Sequence, residues 1–371
     1  MKRYFDLFDI RIFAIEKSVS VIVSLPNSTA DAAATTPRDS GADLARDYAA
    51  IATGAGIAIP ADRMLVRVSG DDRIPFMHGM CTNDIKGLAT GAVSSALILT
   101  EHAHLIAGFF VYADADSLML EIDRALWPKT RAHLEKFLVA DDVEFEELDA
   151  LGVIDVEGPM AARVIATVVG DAPLALAPWR HLDAAGVRVA NLPRFGASAF
   201  TLIVERDRIP MMIDSLRDRA AGAGLATVAP VGPDALEIVR VEHGIARIGL
   251  DTGDKTIALE ARLESAISYN KGCYLGQETI ERATARGGLK KKLYGLRITG
   301  NRMPTASAAL ILDSKEVGRL TSVVDSPRFG VIGLSILHHS AWPAGTPVIL
   351  AAANPEAAGN LIAIVSDLPF A

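Results

Sequence analysis

The chain has 371 residues, half of them hydrophobic and 22% charged, with a formal net charge of −8 at pH 7. That is enough material for two or three packed domains and excludes a disordered chain, while the negative balance excludes any general attraction to nucleic acid or anionic membrane. Only two cysteines occur, Cys81 and Cys273, with no Cys-x-x-Cys, which argues for a reducing, cytoplasmic compartment and against a disulfide scaffold, and leaves one chain short of the thiolates that hold an iron–sulfur cluster.

Residues 1–42 read as a flexible leader. Lys17, the apolar run 19–25 and a Ser/Thr/Ala-rich stretch faintly resemble a signal peptide, but Asp6, Asp9 and Glu16 spoil the basic start. A helix is expected over 43–52, capped by the Gly-rich turn that follows, then a strand over 64–68 and a helix over 73–81. Strands follow at 96–100, 105–112 and 117–122. The apolar stretch 92–113 is interrupted by Glu101, His102 and His104, so it does not read as a membrane span. Helical spacing over 127–138 and a strand at 143–148 close a first unit of about 43–150. A second, 151–290, carries strands at 153–156, 187–191 and 200–204 and helices at 159–169, 209–221 and 234–244. From residue 291 the texture changes to six short β-like pieces (293–298, 309–312, 317–324, 331–336, 348–351 and 361–365), which suggest a small antiparallel barrel over 291–371.

The most informative segment is Lys271-Gly272-Cys273-Tyr274-Leu275-Gly276-Gln277-Glu278. Its glycines permit unusual backbone angles, and 277–285 reads as a helix with Glu278 in the first turn. Cys273 therefore sits in a tight loop beside Lys271, just ahead of a helix N-terminus, and both features favour the thiolate. Burial as a small core residue is the competing reading of the same cysteine. Cys273 and Lys271 are the candidate catalytic pair.

Lys-Gly-Cys-Tyr-x-Gly-Gln-Glu resembles the signature of the YgfZ family, within the superfamily of the glycine cleavage T-protein, an aminomethyltransferase. Gly70-Asp71-Asp72-Arg73, Phe76 to Gly79, Thr82-Asn83-Asp84, Val239 to Ile245 and Val317 to Ser322 resemble further family segments in order and spacing. The likeness covers about residues 45–340. It implies an α+β fold: a folate-binding module of two pseudo-symmetric subdomains with a C-terminal β-barrel over a central channel. It also implies a role in assembling or repairing iron–sulfur enzymes, including those that modify tRNA. Tetrahydrofolate is the implied cofactor, and iron–sulfur proteins or their assembly factors are the implied partners. Asn83 and Asp84 fall in a segment that lines the family's channel, although turn-making is their default role. Gln277 and Glu278 join them as cofactor-binding candidates through the signature. Glu242 is the family's inward-pointing acid, with a purely structural carboxylate as the alternative.

The sequence also departs from the transferase. Where that enzyme carries its catalytic aspartate, this chain has Ala107 and Gly108, neither of which can move a proton. Where the transferase's pterin-contacting glutamate stands, this chain has Thr201, which offers a single hydroxyl in place of a carboxylate. Aminomethyl transfer is thereby disfavoured, which leaves open whether the chain is an enzyme at all. Arg282, Arg286, Lys290, Lys291 and Lys292 form a basic run that could meet a folate glutamate tail, a tRNA phosphate or an acidic partner, or could simply be solvated. No metal-ligand spacing or phosphate loop is present.

Overall fold

The computed structural model describes residues 42–195, 198–285, 288–300, 302–351 and 361–371. Helix α1 (Ala42–Thr53) leads to β1 (Ala55–Ala58) and β2 (Arg63–Ser69), and α2 (Arg73–Met80) to β3 (Val93–Leu99), β4 (Leu105–Ala113) and β5 (Leu118–Asp123). After α3 (Trp127–Glu135) come β6 (Glu144–Glu147), β7 (Leu151–Glu157), α4 (Ala161–Val169), β8 (Arg180–Ala184), β9 (Val187–Asn191) and β10 (Ala199–Glu205). The module continues through α5 (Ile209–Gly222), β11 (Val228–Pro230), α6 (Pro233–Glu242) and α7 (Gln277–Ala285). Strands β12 (Lys291–Ile298), β13 (Ala309–Leu312), β14 (Lys315–Arg319), β15 (Ser322–Ser326), β16 (Gly330–His338), β17 (Pro347–Leu350) and β18 (Leu361–Ser366) complete the chain.

Three sheets organise these elements. The first runs β3-β4-β5-β2-β6, antiparallel throughout. Its alternate residues Val66, Val68, Phe109, Val111, Leu118 and Leu120 pack under α2 and α3, against Phe76, Met77 and Trp127, as a period-2 pattern with one apolar face requires. The second runs β11-β1-β7-β10-β9-β8, with α4 and α5 covering one face through Val164, Ile165, Met212 and Leu216. The uncovered faces of the two sheets meet each other through Leu65, Phe110, Tyr112, Met119, Val153 and Ile203.

The third sheet, β14-β13-β17-β18-β12-β16-β15, curls around its own core of Leu296, Leu310, Leu320, Leu337 and Val348. The expected small barrel thus takes the form of a half-barrel, with β14 and β15 as its hydrogen-bonding edges. Helix α6 lies between α1 and this sheet, and a large mixed core of Leu236, Val239, Leu259, Ile280, Leu293 and Ile332 fills the junction.

Several local expectations change. The Gly-rich turn after α1 is a strand, β1, which pairs with β7 and, in parallel, with β11. A Cβ on Gly54 would lie 2.0 Å from the Thr227 carbonyl oxygen, so the glycine serves a close strand approach as well as a turn. The single strand expected over 317–324 is two strands, interrupted where the Thr321 hydroxyl turns to Asp251 Oδ1 at 2.5 Å. Strands β8 and β11 were not anticipated. Among the described residues, no helix is long and apolar enough to cross a membrane.

Candidate functional site

The signature loop is held from three directions. Lys271 Nζ donates to the carbonyl oxygens of His78, Cys81 at 2.7 Å and Asn83 at 2.9 Å. These acceptors lie at the C-terminal end of α2, where a cation is favoured by the unpaired carbonyls. Gly276 has φ +87°, and a Cβ there would lie 2.7 Å from the Thr100 carbonyl oxygen, so the chain can pass only as glycine. Gln277 Oε1 accepts the Tyr274 amide at 3.2 Å. Tyr274 and Leu275 sink into two different cores, whereas Cys273 between these anchors is exposed.

This differs from the expected Lys271–Cys273 pairing. The ammonium group is directed at backbone carbonyls, and the thiol whose charge it touches is Cys81. Burial pushes Cys81 up to about 11 despite that lysine, so it is an inert core thiol, as its 0% exposure indicates. Burial also pushes Lys271 below its ordinary value.

Asn83 and Asp84 adjoin the same anchor. Asn83 Nδ2 donates to the Ser95 carbonyl oxygen at 2.8 Å and its Oδ1 accepts the Asp84 amide at 2.8 Å. Asp84 Oδ1 accepts the Gly87 amide at 3.0 Å and lies 3.2 Å from His78 Nδ1. These are turn-making bonds, but they cluster beside the loop that carries Cys273. Glu278 and Arg282 pair with each other on the exposed face of α7, and Gln277 Nε2 donates to Glu281 at 2.5 Å. Arg286 lies outside the described residues. Lys290 and Lys291 line a separate cleft of about 790 Å³, with Lys255 and Arg319.

The structure keeps the other two candidates away from this cluster. Glu242 is buried at 3% exposure and accepts the hydroxyls of Tyr48 at 3.0 Å and Ser326 at 2.5 Å, so it joins α1 and α6 to β15. Arg240, two residues earlier, is buried as well, because α6 is covered on both sides. It binds Glu237 and, at 2.7 Å, Asp251, whose other oxygen accepts Ser322 and Thr321.

Thr201 lies between the two module sheets in a charge cluster that sequence reasoning missed. Arg63 Nη1 reaches Glu121 at 2.6 Å and Asp155 at 3.0 Å, and its Nη2 reaches Asp155 at 2.6 Å. Arg194 binds the same two acids at 2.9 and 2.8 Å. Tyr112 donates to Glu121, and Thr201 donates to Asp155 at 3.1 Å. Burial alone would raise Asp155, but Arg194 and Arg63 hold it below the usual carboxylate range. Glu157, 2% exposed, is the surplus acid. Burial and the neighbouring Asp155 push it up to about 8, and its Oε1, like Arg194 Nε, is buried without a hydrogen-bond partner. The signal available in the sequence was two acids spaced two apart at the end of an otherwise apolar strand, Asp155 and Glu157, and Glu121 in another. Such positions rarely hold unpaired charge.

A third group borders Gly108. With Phe109 opposite Ile122, the antiparallel register brings Asp123 to the neighbourhood of Gly108. Both Asp123 and Asp62 are raised by burial, Asp62 to about 6. The two Asp62 carboxylate oxygens are buried without a hydrogen-bond partner. Among the described residues, no cluster of three or more His, Cys, Asp or Glu is placed to hold a metal.

Comparison with known proteins fits this geometry. The profile of the GCVT N-terminal domain matches residues 28–271. A chloroplastic protein of Arabidopsis thaliana carrying a provisional transferase name is 27% identical over 82% of this chain and 68% of its own length. The aminomethyltransferase of Rubrobacter xylanophilus is 26% identical over 79% of each chain. The crystal structure of glycine cleavage system aminomethyltransferase T from Bartonella henselae superposes with a TM-score of 0.79 at 20% identity, covering 88% of this chain and 89% of that one. The half-barrel, the two facing sheets and the profile match over most of the module together place the chain in the GCVT family, on the aminomethyltransferase fold.

Proposed function

We propose that this protein is a folate-binding accessory factor of the YgfZ type, acting in the cytoplasm in the assembly or repair of iron–sulfur enzymes, with Cys273 as its working thiol. The observation that carries this reading is the signature loop. Three anchors (Lys271, Gly276 and Gln277) fix a loop in which Gly272 and Cys273 are exposed, an arrangement suited to presenting sulfur to a partner. The residues that stand in for the transferase's acid, Ala107 and Gly108, bring no carboxylate to the strand, which disfavours aminomethyl transfer.

Folate, when bound, would supply a one-carbon carrier or a conformational stabiliser. The residues that fit it are those with unused hydrogen-bonding capacity between the sheets, Glu157 and Arg194. Thr201 is already bonded to Asp155 and would contribute at most its remaining acceptor capacity. Arg282, exposed and paired with Glu278, suits the carboxylate tail of a folate better than its ring, whereas the Glu278 carboxylate would repel that tail.

The test is complementation. In a host lacking its own copy, the wild-type chain restores the activity of an iron–sulfur enzyme such as a radical tRNA methylthiolase, and Cys273→Ala does not. Full rescue by Cys273→Ala removes the thiol from the reading. A second reading, a folate-dependent transferase, is favoured by the raised acids Asp62 and Asp123 near Gly108. It requires turnover of a methylamine substrate with tetrahydrofolate that Asp62→Asn abolishes. Docking of tRNA on Lys290 to Lys292 would show as binding that weakens steeply with salt.

A further inference from the structure

Lys255, Lys290, Lys291 and Arg319 converge on one open cleft of about 790 Å³, where the loop after Asp251 faces β14 and the start of β12. Their counter-ions are unequal. Arg319 Nε pairs with Glu316 at 2.9 Å. The three lysines are exposed, and among the described residues their ammonium groups make no hydrogen bond or close ion pair. The acids of the cleft are mostly committed elsewhere. Asp251 is bound by Arg240, Thr321 and Ser322. Glu260 Oε2 accepts the Ile257 amide at 3.2 Å, and burial raises that carboxyl above its ordinary value. Asp254, exposed, is the acid that remains on the lining.

The crowding of cations continues beyond the rim. Lys291 stands directly opposite His338 across β12 and β16, and the His338 and His339 rings lie 4.1 Å apart. The His339 amide donates to the Lys290 carbonyl oxygen at 2.8 Å. Like charges placed opposite each other cost stability. Desolvation first, then His339, Lys291 and Lys290, hold His338 below its ordinary value, as a local positive field requires. The whole chain carries a net charge of −8, so this field belongs to the cleft and not to the protein at large.

We infer that this cleft binds an oligophosphate, a ligand with several phosphate groups in a row. The site is separate from the signature loop and does not rest on the folate reading. Unpaired ammonium groups supply the point charges that phosphate oxygens accept. The cleft also falls within the range of small-ligand sites, about 300–1,000 Å³. An oligophosphate concentrates its charge within a few bonds, which matches lysines that converge on one hollow. A nucleic-acid strand spreads one charge per nucleotide and needs a basic track. Here the track does not continue: Lys292 lies 3.9 Å from Glu264, and Lys315 is outside the lining. Inorganic triphosphate and the phosphate chain of a nucleoside triphosphate are two sources of the same chemistry.

The experiment is calorimetric titration of the full chain with inorganic triphosphate and, separately, with ATP and a single-stranded oligonucleotide. Wild type is expected to bind triphosphate. Lys255→Ala, Lys290→Ala and Lys291→Ala should each weaken that binding about fivefold, the loss of one exposed charge pair. Lys315→Ala, on β14 but away from the cleft, should bind as wild type does. All four lysines are exposed, so the variants keep the fold, which circular dichroism checks. ATP binding as tightly as triphosphate assigns the site to the phosphate chain alone, and tighter ATP binding adds recognition of the nucleoside; both uphold the cleft. Four results overturn it: no triphosphate binding, binding unchanged when Lys290 and Lys291 are both replaced by Ala, equal weakening by Lys315→Ala, or tighter binding of the oligonucleotide. Each of these leaves the folate and thiol readings where they stand.

Discussion

Arg240 and Arg194 are both wholly buried, yet their surroundings are balanced in opposite ways. Around Arg240, Glu237 and Asp251 meet the guanidinium, and Ser322 and Thr321 donate to Asp251. Burial works against that carboxylate, but Arg240 and the donors hold Asp251 below its ordinary value. Around Arg194 the matching acids are likewise satisfied, but Glu157 is added with an unpartnered oxygen and moves upward instead. The first network leaves each of its carboxylates paired and fastens α6 to the half-barrel. An overfilled one keeps hydrogen-bonding capacity in reserve, and buried groups with strongly shifted protonation are where function tends to reside.

The contrast can be broken most forcefully at Arg240. Arg240→Met leaves Asp251 buried without its guanidinium, while Glu237 keeps Arg247, and should cost about 3–5 kcal/mol in urea unfolding; a loss below 1 kcal/mol would mean the network fastens nothing. Next comes Glu157, where the sign is reversed. Its folded value lies above the ordinary 4.5, so the native state keeps a proton that the unfolded chain has released. Stability is greatest below about pH 4.5 as far as this group is concerned, and declines as pH rises towards 8, by at most about 1.4 kcal/mol per unit. Glu157→Gln should remove that slope; an identical pH profile for both proteins would locate the titration elsewhere. A smaller effect is expected at the loop. Gly276→Ala forces a left-handed backbone and a contact with Thr100, costing about 1–2 kcal/mol, and should change the rate at which Cys273 reacts with a thiol reagent. Least of all, Arg282→Ala removes an exposed pair, and its melting temperature should be that of wild type.

Much of the architecture was readable because its elements repeat a period. Residues 187–191 alternate and the short apolar run 309–312 is β-like; both are strands over those same limits, and 277–285 is the helix its loop announces. The strands that escaped, β1, β8 and β11, are short or rich in glycine, alanine and charge, so they lack a pattern of their own and exist because neighbouring strands pair with them. The site divides in the same way. The glycine-flanked loop that carries Cys273 was legible, but its exposure was not, because burial as a small core residue fitted the same residues. The partners of Lys271 lie 188 to 193 residues away, and the company kept by Thr201 and Glu242 depends on how sheets and helices meet, so neither could be read from spacing.

The ammonium of Lys271 is seated on carbonyls belonging to the far end of α2. The sulfur two residues along inherits its position from that seat, so it reaches its folded place only once the first sheet and its helix have assembled. A change in the reaction rate of Cys273 during refolding would accordingly time the docking of this loop on the first sheet and its helix, much as a latch reports that a door has reached its frame.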